Sequence, residues 1–183
     1  MNVIETEIAD IKLISPKRLV DDRGWFEEMY RHDALAAAGI HETFVQDNVS
    51  FSIHKGTVRG LHFQSPPSAQ AKLVRVLVGS IVDVGVDLRR ASATYGRHVS
   101  VRIDASAGQL VYIPAGFAHG FCTLESNTLV CYKVSSPYDS TCDRSLAWND
   151  PALAIEWPVT ASDAILSAKD RAAPQLAQLD VAF

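Results

Sequence analysis

The chain predicts an all-β sandwich or jelly-roll barrel with a few short helices. Three observations carry that prediction. Runs rich in Val, Ile and Leu recur at even spacing along the 183 residues, with Gly and Pro turns between them. Only one segment reads as a regular helix. A stretch from Gly108 to His119, with Pro114 and Gly116 at its centre, spells a strand, a tight turn and a second strand carrying a histidine. In chain order, strands are expected over residues 8–14, 44–53, 58–64, 95–103, 109–114, 118–124 and 128–134. The long apolar run 71–88 is broken at Gly79-Ser80 and reads as a hairpin. The helix is expected over 32–38, Ala-rich and closed by Gly39. From Trp148 onward, Asp150-Pro151, Trp157-Pro158 and Ala173-Pro174 interrupt any long element, so that stretch is expected to wrap the β core as loops and short helices.

With 48% apolar residues the chain can bury one sizeable core, and a single domain over 1–183 is expected. A net charge of −4, with both signs interspersed, offers no nucleic-acid surface and no basic membrane face. The apolar runs are too short for a membrane span. The three cysteines, Cys122, Cys131 and Cys142, match no zinc spacing and cannot all pair within one chain, so free thiols in a reducing compartment are expected. The first residues, Met-Asn-Val-Ile-Glu-Thr-Glu, are acidic and unlike a secretory signal. A cytoplasmic location is the expectation.

Strand alternation sorts the polar side chains. In Val58 to Gln64, His62 shares a face with Val58, Gly60 and Gln64, and Arg59 lies opposite unless Gly60 forms a bulge. Arg59 therefore needs that bulge or serves a neighbouring subunit. Lys72 opens a face continued by Val74, Val76 and Val78, either as a snorkelling edge residue or as a cation inside a cavity. Tyr132 shares a face with Val130 and Val134 and points inward. The Gly108–His119 spacing resembles the second half of the cupin signature. Cupin metal sites usually pair two histidines as His-x-His; here the second place is Gln64, so no metal is expected.

Several segments together resemble one family, the cupin-like dTDP-4-dehydrorhamnose 3,5-epimerases. They are Asp22-Arg23-Gly24-Trp25-Phe26-Glu27-Glu28, Gln46-Asp47-Asn48-Val49-Ser50, Gly56 to Gln64, Lys72-Leu73-Val74-Arg75-Val76 and Asp83 to Arg89. Further along come Pro114 to Phe121, Tyr132-Lys133, Trp148-Asn149-Asp150-Pro151 and Leu166-Ser167-Ala168-Lys169-Asp170. The order is kept over nearly the whole chain. The resemblance implies inversion of C3 and C5 in dTDP-4-dehydro-6-deoxy-D-glucose. Both carbons flank a ketone and can lose a proton to give an enolate. That chemistry needs a base on one face, an acid on the other and a cation or donor near the ketone oxygen, and it implies no redox cofactor and no metal.

By resemblance, His62 is the base and Asp170 the carboxylate that orients it. Tyr132 is the acid, and Lys72 the charge near the C4 oxygen. Arg23, Phe26, Glu28, Gln46, Asn48, Arg59, His119 and Lys169 match substrate contacts, with arginines suited to a diphosphate. Tyr138 falls where the family stacks an aromatic ring on thymine. Asp143 stands where the family carries Glu, and Pro137 precedes the aromatic, so the 135–143 loop departs from the pattern. The N-terminal part of the family reaches a neighbouring subunit, which implies a homodimer with no nucleic-acid or membrane partner. Other readings are an epimerase inverting only C3 or only C5, a nucleotide-sugar-binding protein without activity, and a metal-dependent cupin. Retention of both a base and an acid speaks against the second, and Gln64 against the third.

Overall fold

A computed structural model describes residues 1–180 and Phe183. Two antiparallel sheets pack face to face as an open sandwich, and the described strands greatly outweigh the helices. The six-stranded sheet runs in the order β1 (Asn2–Glu5), β2 (Lys12–Ser15), β10 (Leu110–Ile113), β7 (Lys72–Val78), β12 (Thr128–Val134), β5 (Gln46–Ser52). The five-stranded sheet runs β13 (Asp143–Ser145), β6 (Val58–Gln64), β11 (Phe117–Thr123), β8 (Ser80–Asp87), β9 (His98–Asp104). A separate hairpin joins β3 (Arg18–Asp21) to β4 (Gly24–Glu27). The helices are α1 (His32–Ala37) and α2 (Ala168–Arg171). No helix among the described residues is long and apolar enough to cross a membrane.

The expected strands at 58–64 and 128–134 appear with those limits, and the helix at 32–38 ends one residue early. Three details differ. The 71–88 run is not a hairpin: β7 pairs with β10 and β12, whereas β8 pairs with β11 and β9. One linking residue, Gly79 at φ +82°, is too short to close a hairpin ladder; it turns the chain from one sheet into the other. The Pro114–Gly116 turn does the same between β10 and β11, with Gly116 at φ +90°. Residues 8–14 are not one strand. Thr6 Oγ1 donates to the carbonyls of Ile8 and Ile11, folding a turn, and the strands lie on either side of it.

The core between the sheets is built from Val74, Val76, Val111, Ile113 and Val130 on one wall and Ile81, Val99, Ile103, Phe117 and Phe121 on the other. Each sheet also buries much of its outer face. Leu61, Phe63, Val84, Val86 and Ala118 pack under the C-terminal stretch, against Leu146, Leu153, Ile155 and Trp157. Leu73, Leu110 and Tyr112 pack under α1, against Leu35 and Ile40. Burial on both faces is why the 71–88 run reads as continuously apolar and not as alternating. The three cysteines are unpaired.

Candidate active site

The apolar filling stops toward one end of the sandwich, where the inward positions become polar. Two cavities of about 340 and 250 Å³ share His62, Lys72 and Tyr132 in their walls. The first adds Gln46, Asn48, Gln64, Gln70, Tyr138, Asp143 and Lys169; the second adds Ser50, Arg59, His119, Phe121, Ser167 and Asp170. Among the described residues, no three His, Cys, Asp or Glu side chains gather as a metal site would require.

Sheet topology puts the reactive groups on facing walls. His62 on β6 and His119 on β11 are paired directly across the five-stranded sheet. Lys72 on β7 and Tyr132 on β12 project from the six-stranded sheet, whose register sets Lys72 opposite Val134, two residues from Tyr132. A base and an acid at His62 and Tyr132 would therefore approach a bound molecule from different sides.

His62 Nε2 lies 2.5 Å from Asp170 Oδ1. The carboxylate thus engages Nε2–H and leaves Nδ1 as the ring nitrogen with a free lone pair. Asp170 sits on α2 and is 4% exposed. Ser167 caps that helix, accepting the Asp170 N–H at 3.1 Å, so the cap fixes where the carboxylate points. Burial pushes the Asp170 pKa up, but the His62 bond and the Gly60 backbone amide outweigh it, and the net direction is down.

Arg59 reaches the same cavity as His62. Phe121 is opposite Arg59 while His119 is opposite His62, so three steps on β6 match two on β11. The extra residue is a bulge at Gly60-Leu61, with Gly60 at φ +131°. A Cβ on Gly60 would lie 2.5 Å from Gly120 Cα and 2.8 Å from the His119 carbonyl, which only glycine avoids. The bulge, not a neighbouring subunit, settles the alternation conflict at Arg59. Its guanidinium donates to Ser52 Oγ and to the Phe51 carbonyl.

Lys72 is 7% exposed and donates to the His62 carbonyl at 3.1 Å, so it is a cavity cation and not a snorkelling edge residue. Burial pulls its pKa down to about 8, against the opposing pull of Asp83 and Asp143. Burial raises the Tyr132 phenol, against a smaller effect of Arg59, so it keeps its proton at neutral pH. His119 Nε2 is 2.7 Å from Asp83 Oδ1, and burial lowers its pKa despite that carboxylate. A neutral imidazole whose Nε2–H meets Asp83 leaves Nδ1 as an uncharged acceptor.

The rim is organised by the 135–143 loop. Tyr138 O–H donates to Asp143 Oδ2 at 3.2 Å, and Lys169 Nζ reaches the same oxygen at 2.5 Å. Gln46 accepts the Tyr138 N–H and donates to Asn48. Gln64, in the second place of the missing His-x-His pair, accepts the Asp139 N–H and donates to the Ser68 and Pro137 carbonyls. It braces the loop.

Arg23, Phe26 and Glu28 do not join the cavity of their own chain. Arg23 pairs with its neighbour Asp21, Phe26 is 69% exposed, and Glu28 pairs with Arg31. Sequence reasoning overlooked Asp83 and Ser167 as site residues. Asp83 had a signal, since Asp83, Gly85 and Asp87 share one face of an otherwise apolar strand. Ser167 had one too, as a cap residue three places before Asp170.

Comparison with known proteins shows the family. The family model described as dTDP-4-dehydrorhamnose 3,5-epimerase matches residues 5–178. The Sinorhizobium fredii dTDP-4-dehydrorhamnose 3,5-epimerase is 47% identical over 176 residues, covering 96% of this chain and 90% of that protein. A Legionella pneumophila dTDP-6-deoxy-D-glucose-3,5-epimerase, solved with dTDP-4-keto-L-rhamnose, superposes with a TM-score of 0.93 at 42% identity, covering 98% of this chain and 94% of that one. A Bacillus anthracis dTDP-4-dehydrorhamnose 3,5-epimerase with TDP and pyrophosphate bound gives 0.92 at 48%, over 95% and 98%. Coverage of nearly the whole chain, together with the His–Asp pair facing Lys72 and Tyr132, means that the chain belongs to the dTDP-4-dehydrorhamnose 3,5-epimerase family.

Proposed function

We propose that this isomerase inverts C3 and C5 of dTDP-4-dehydro-6-deoxy-D-glucose with His62 as base, Tyr132 as acid and Lys72 as the charge at the ketone oxygen. The observation that carries the reading is the placement of His62 and Tyr132 on facing sheets. Inversion requires a proton to leave one face of a carbon and return to the other. His62 Nδ1 takes the proton, and Asp170 holds the resulting imidazolium. The electron pair moves onto the C4 oxygen, where Lys72 stabilises the enolate. Tyr132 then delivers a proton to the opposite face. Once proton exchange with solvent has reset His62 and Tyr132, the same groups serve the other carbon, because C3 and C5 both flank the one ketone. No metal is part of the reaction.

The rest of the substrate is assigned by chemistry. Arg59 suits the diphosphate, Tyr138 the thymine, and Gln46, Asn48, Asp143 and Lys169 the polar edges of nucleotide and sugar. Arg23, Phe26 and Glu28 serve the site of a second copy in a homodimer. The support for that dimer is apolar surface unsuited to water: Leu19, Val20, Trp25 and Phe26 on the hairpin, Val49 and Phe51 on edge strand β5, and Ile53 just after it are exposed. Light scattering tests it, and a monomer overturns it. Three unpaired thiols fit a cytoplasmic location.

The deciding experiment is proton NMR of dTDP-4-keto-6-deoxyglucose with the protein in D₂O. Exchange and inversion at both carbons supports the reading. Inversion at one carbon makes the protein a mono-epimerase. A bound sugar with no exchange makes it a binding protein.

A further inference from the structure

The β3–β4 hairpin is attached to the body of the protein by charge and not by backbone pairing, since its two strands pair only with each other. The Glu27 carboxylate is buried between two guanidiniums. Arg18, directly across the hairpin, places Nε 3.2 Å from Oε2. Arg75, on the outer face of β7, reaches Oε1. Arg18 also donates to the Ser106 carbonyl at 2.6 Å, and its guanidinium lies 4.0 Å from the Trp25 ring centroid. Gly108, at φ +64°, closes the cluster from the side: a Cβ there would strike Arg18 and Glu27.

Such a cluster is a costly way to hold a hairpin. Arg75 is 4% exposed, and its Nε and Nη1 find no partner among the described residues. Buried ion pairs are often matched or bettered by apolar packing, so stability is a weak reason for this one. What the forked guanidiniums supply is direction, since they accept a carboxylate in few orientations. Neither Glu27 nor Arg75 lines either cavity of its own chain, and beyond the cluster the hairpin projects Arg23 and Phe26 into solvent.

We infer that Arg18, Glu27 and Arg75 are positioning residues that clamp the β3–β4 hairpin at the angle with which Arg23 and Phe26 enter the neighbouring subunit's site. The inference rests on the reading that a second copy's hairpin completes the site. Loosening the clamp removes contacts to the non-reacting nucleotide end of the substrate and leaves His62, Tyr132 and Lys72 in place. Such a loss is one of uniform binding, which raises KM and spares kcat.

The test uses the full-length protein as Glu27→Gln, Arg75→Lys, the two combined, and Arg23→Ala, with steady-state kinetics on dTDP-4-keto-6-deoxyglucose and sedimentation. The expected result is a KM raised about tenfold or more in each clamp variant, the loss of one charge-assisted contact. kcat should stay near wild type and the dimer intact. The double variant should be little worse than either single one, because both break one clamp. Arg75→Lys keeps the buried charge and provides folded protein where Glu27→Gln costs the fold. Normal KM in either folded variant overturns the clamp, and so does dissociation to monomers with kcat lost as well. Arg23→Ala separates the two readings. If it leaves KM unchanged, the shared-site reading fails; if it raises KM while Glu27→Gln does not, only the clamp fails.

Discussion

Replacing Asp170 with Asn tests the base assignment at the point where the geometry is most specific. The amide is isosteric with the carboxylate, and Asp170 N–H still meets the Ser167 cap, so α2 should stay in place. What changes is the 2.5 Å contact to His62 Nε2. In the native protein a buried carboxylate faces the ring, and its hydrogen bond strengthens as the imidazole gains the substrate proton. A hydrogen bond to a charged group is worth about 1.5–3 kcal/mol. At 1.36 kcal/mol per decade, its loss in the transition state slows proton abstraction by roughly 10- to 150-fold. KM should move little, because the Asp170 carboxylate is engaged by His62. The assay is the initial rate of deuterium entry at C3 in D₂O, measured alongside kcat and the thermal midpoint. A folded Asp170→Asn protein with near-normal deuterium entry would refute both the dyad and the orientation that leaves Nδ1 as the proton acceptor.

His62→Ala should stop deuterium entering C3 and C5 altogether, whereas folded Tyr132→Phe should retain exchange and lose epimerised product by roughly 10²–10⁴-fold; near-normal product from Tyr132→Phe removes it as the acid. Lys72 titrates near pH 8, so kcat should fall as pH rises through that value. The sign for stability is opposite: the folded pKa is depressed, the unfolded chain binds the extra proton between about 8 and 10.4, and stability rises with pH across that window. Lys72→Met should lack the rise, and thermal melts at stepped pH check it. Gly60→Ala forces a side chain into positive φ against Gly120 and the His119 carbonyl, at a cost of at least about 1–3 kcal/mol in chemical denaturation, and a wild-type stability would contradict the bulge. EDTA should leave activity unchanged; abolition by EDTA with recovery on adding zinc or iron would sink the metal-free mechanism.

Much of this protein is legible in its sequence because its signals are local. Apolar runs with Gly and Pro punctuation mark the strands, and a period of two turns Tyr132 inward, while for Lys72 it left an edge residue and a cavity cation both open. The absence of a second histidine at Gln64 is likewise visible in a line of text. Resemblance over nearly the whole chain assembled His62, Asp170, Tyr132 and Lys72 as one set. Tertiary structure decided what depends on pairing between distant segments. Gly79 and Gly116 look like hairpin turns, but each carries the chain from one sheet to the other, because the ladder partners of β8 and β11 lie elsewhere in the sequence. That crossing is what sets a base and an acid on facing walls. The bulge at Gly60 is the same kind of fact: alternation on one strand cannot show that the partner strand skips a residue, so only the register against β11 brought Arg59 and His62 into one cavity. The partner of Asp83 and the Arg18–Glu27–Arg75 cluster were hidden for the same reason. A charge on a strand reads as solvated until the fold shows that burial leaves it only another charge to meet.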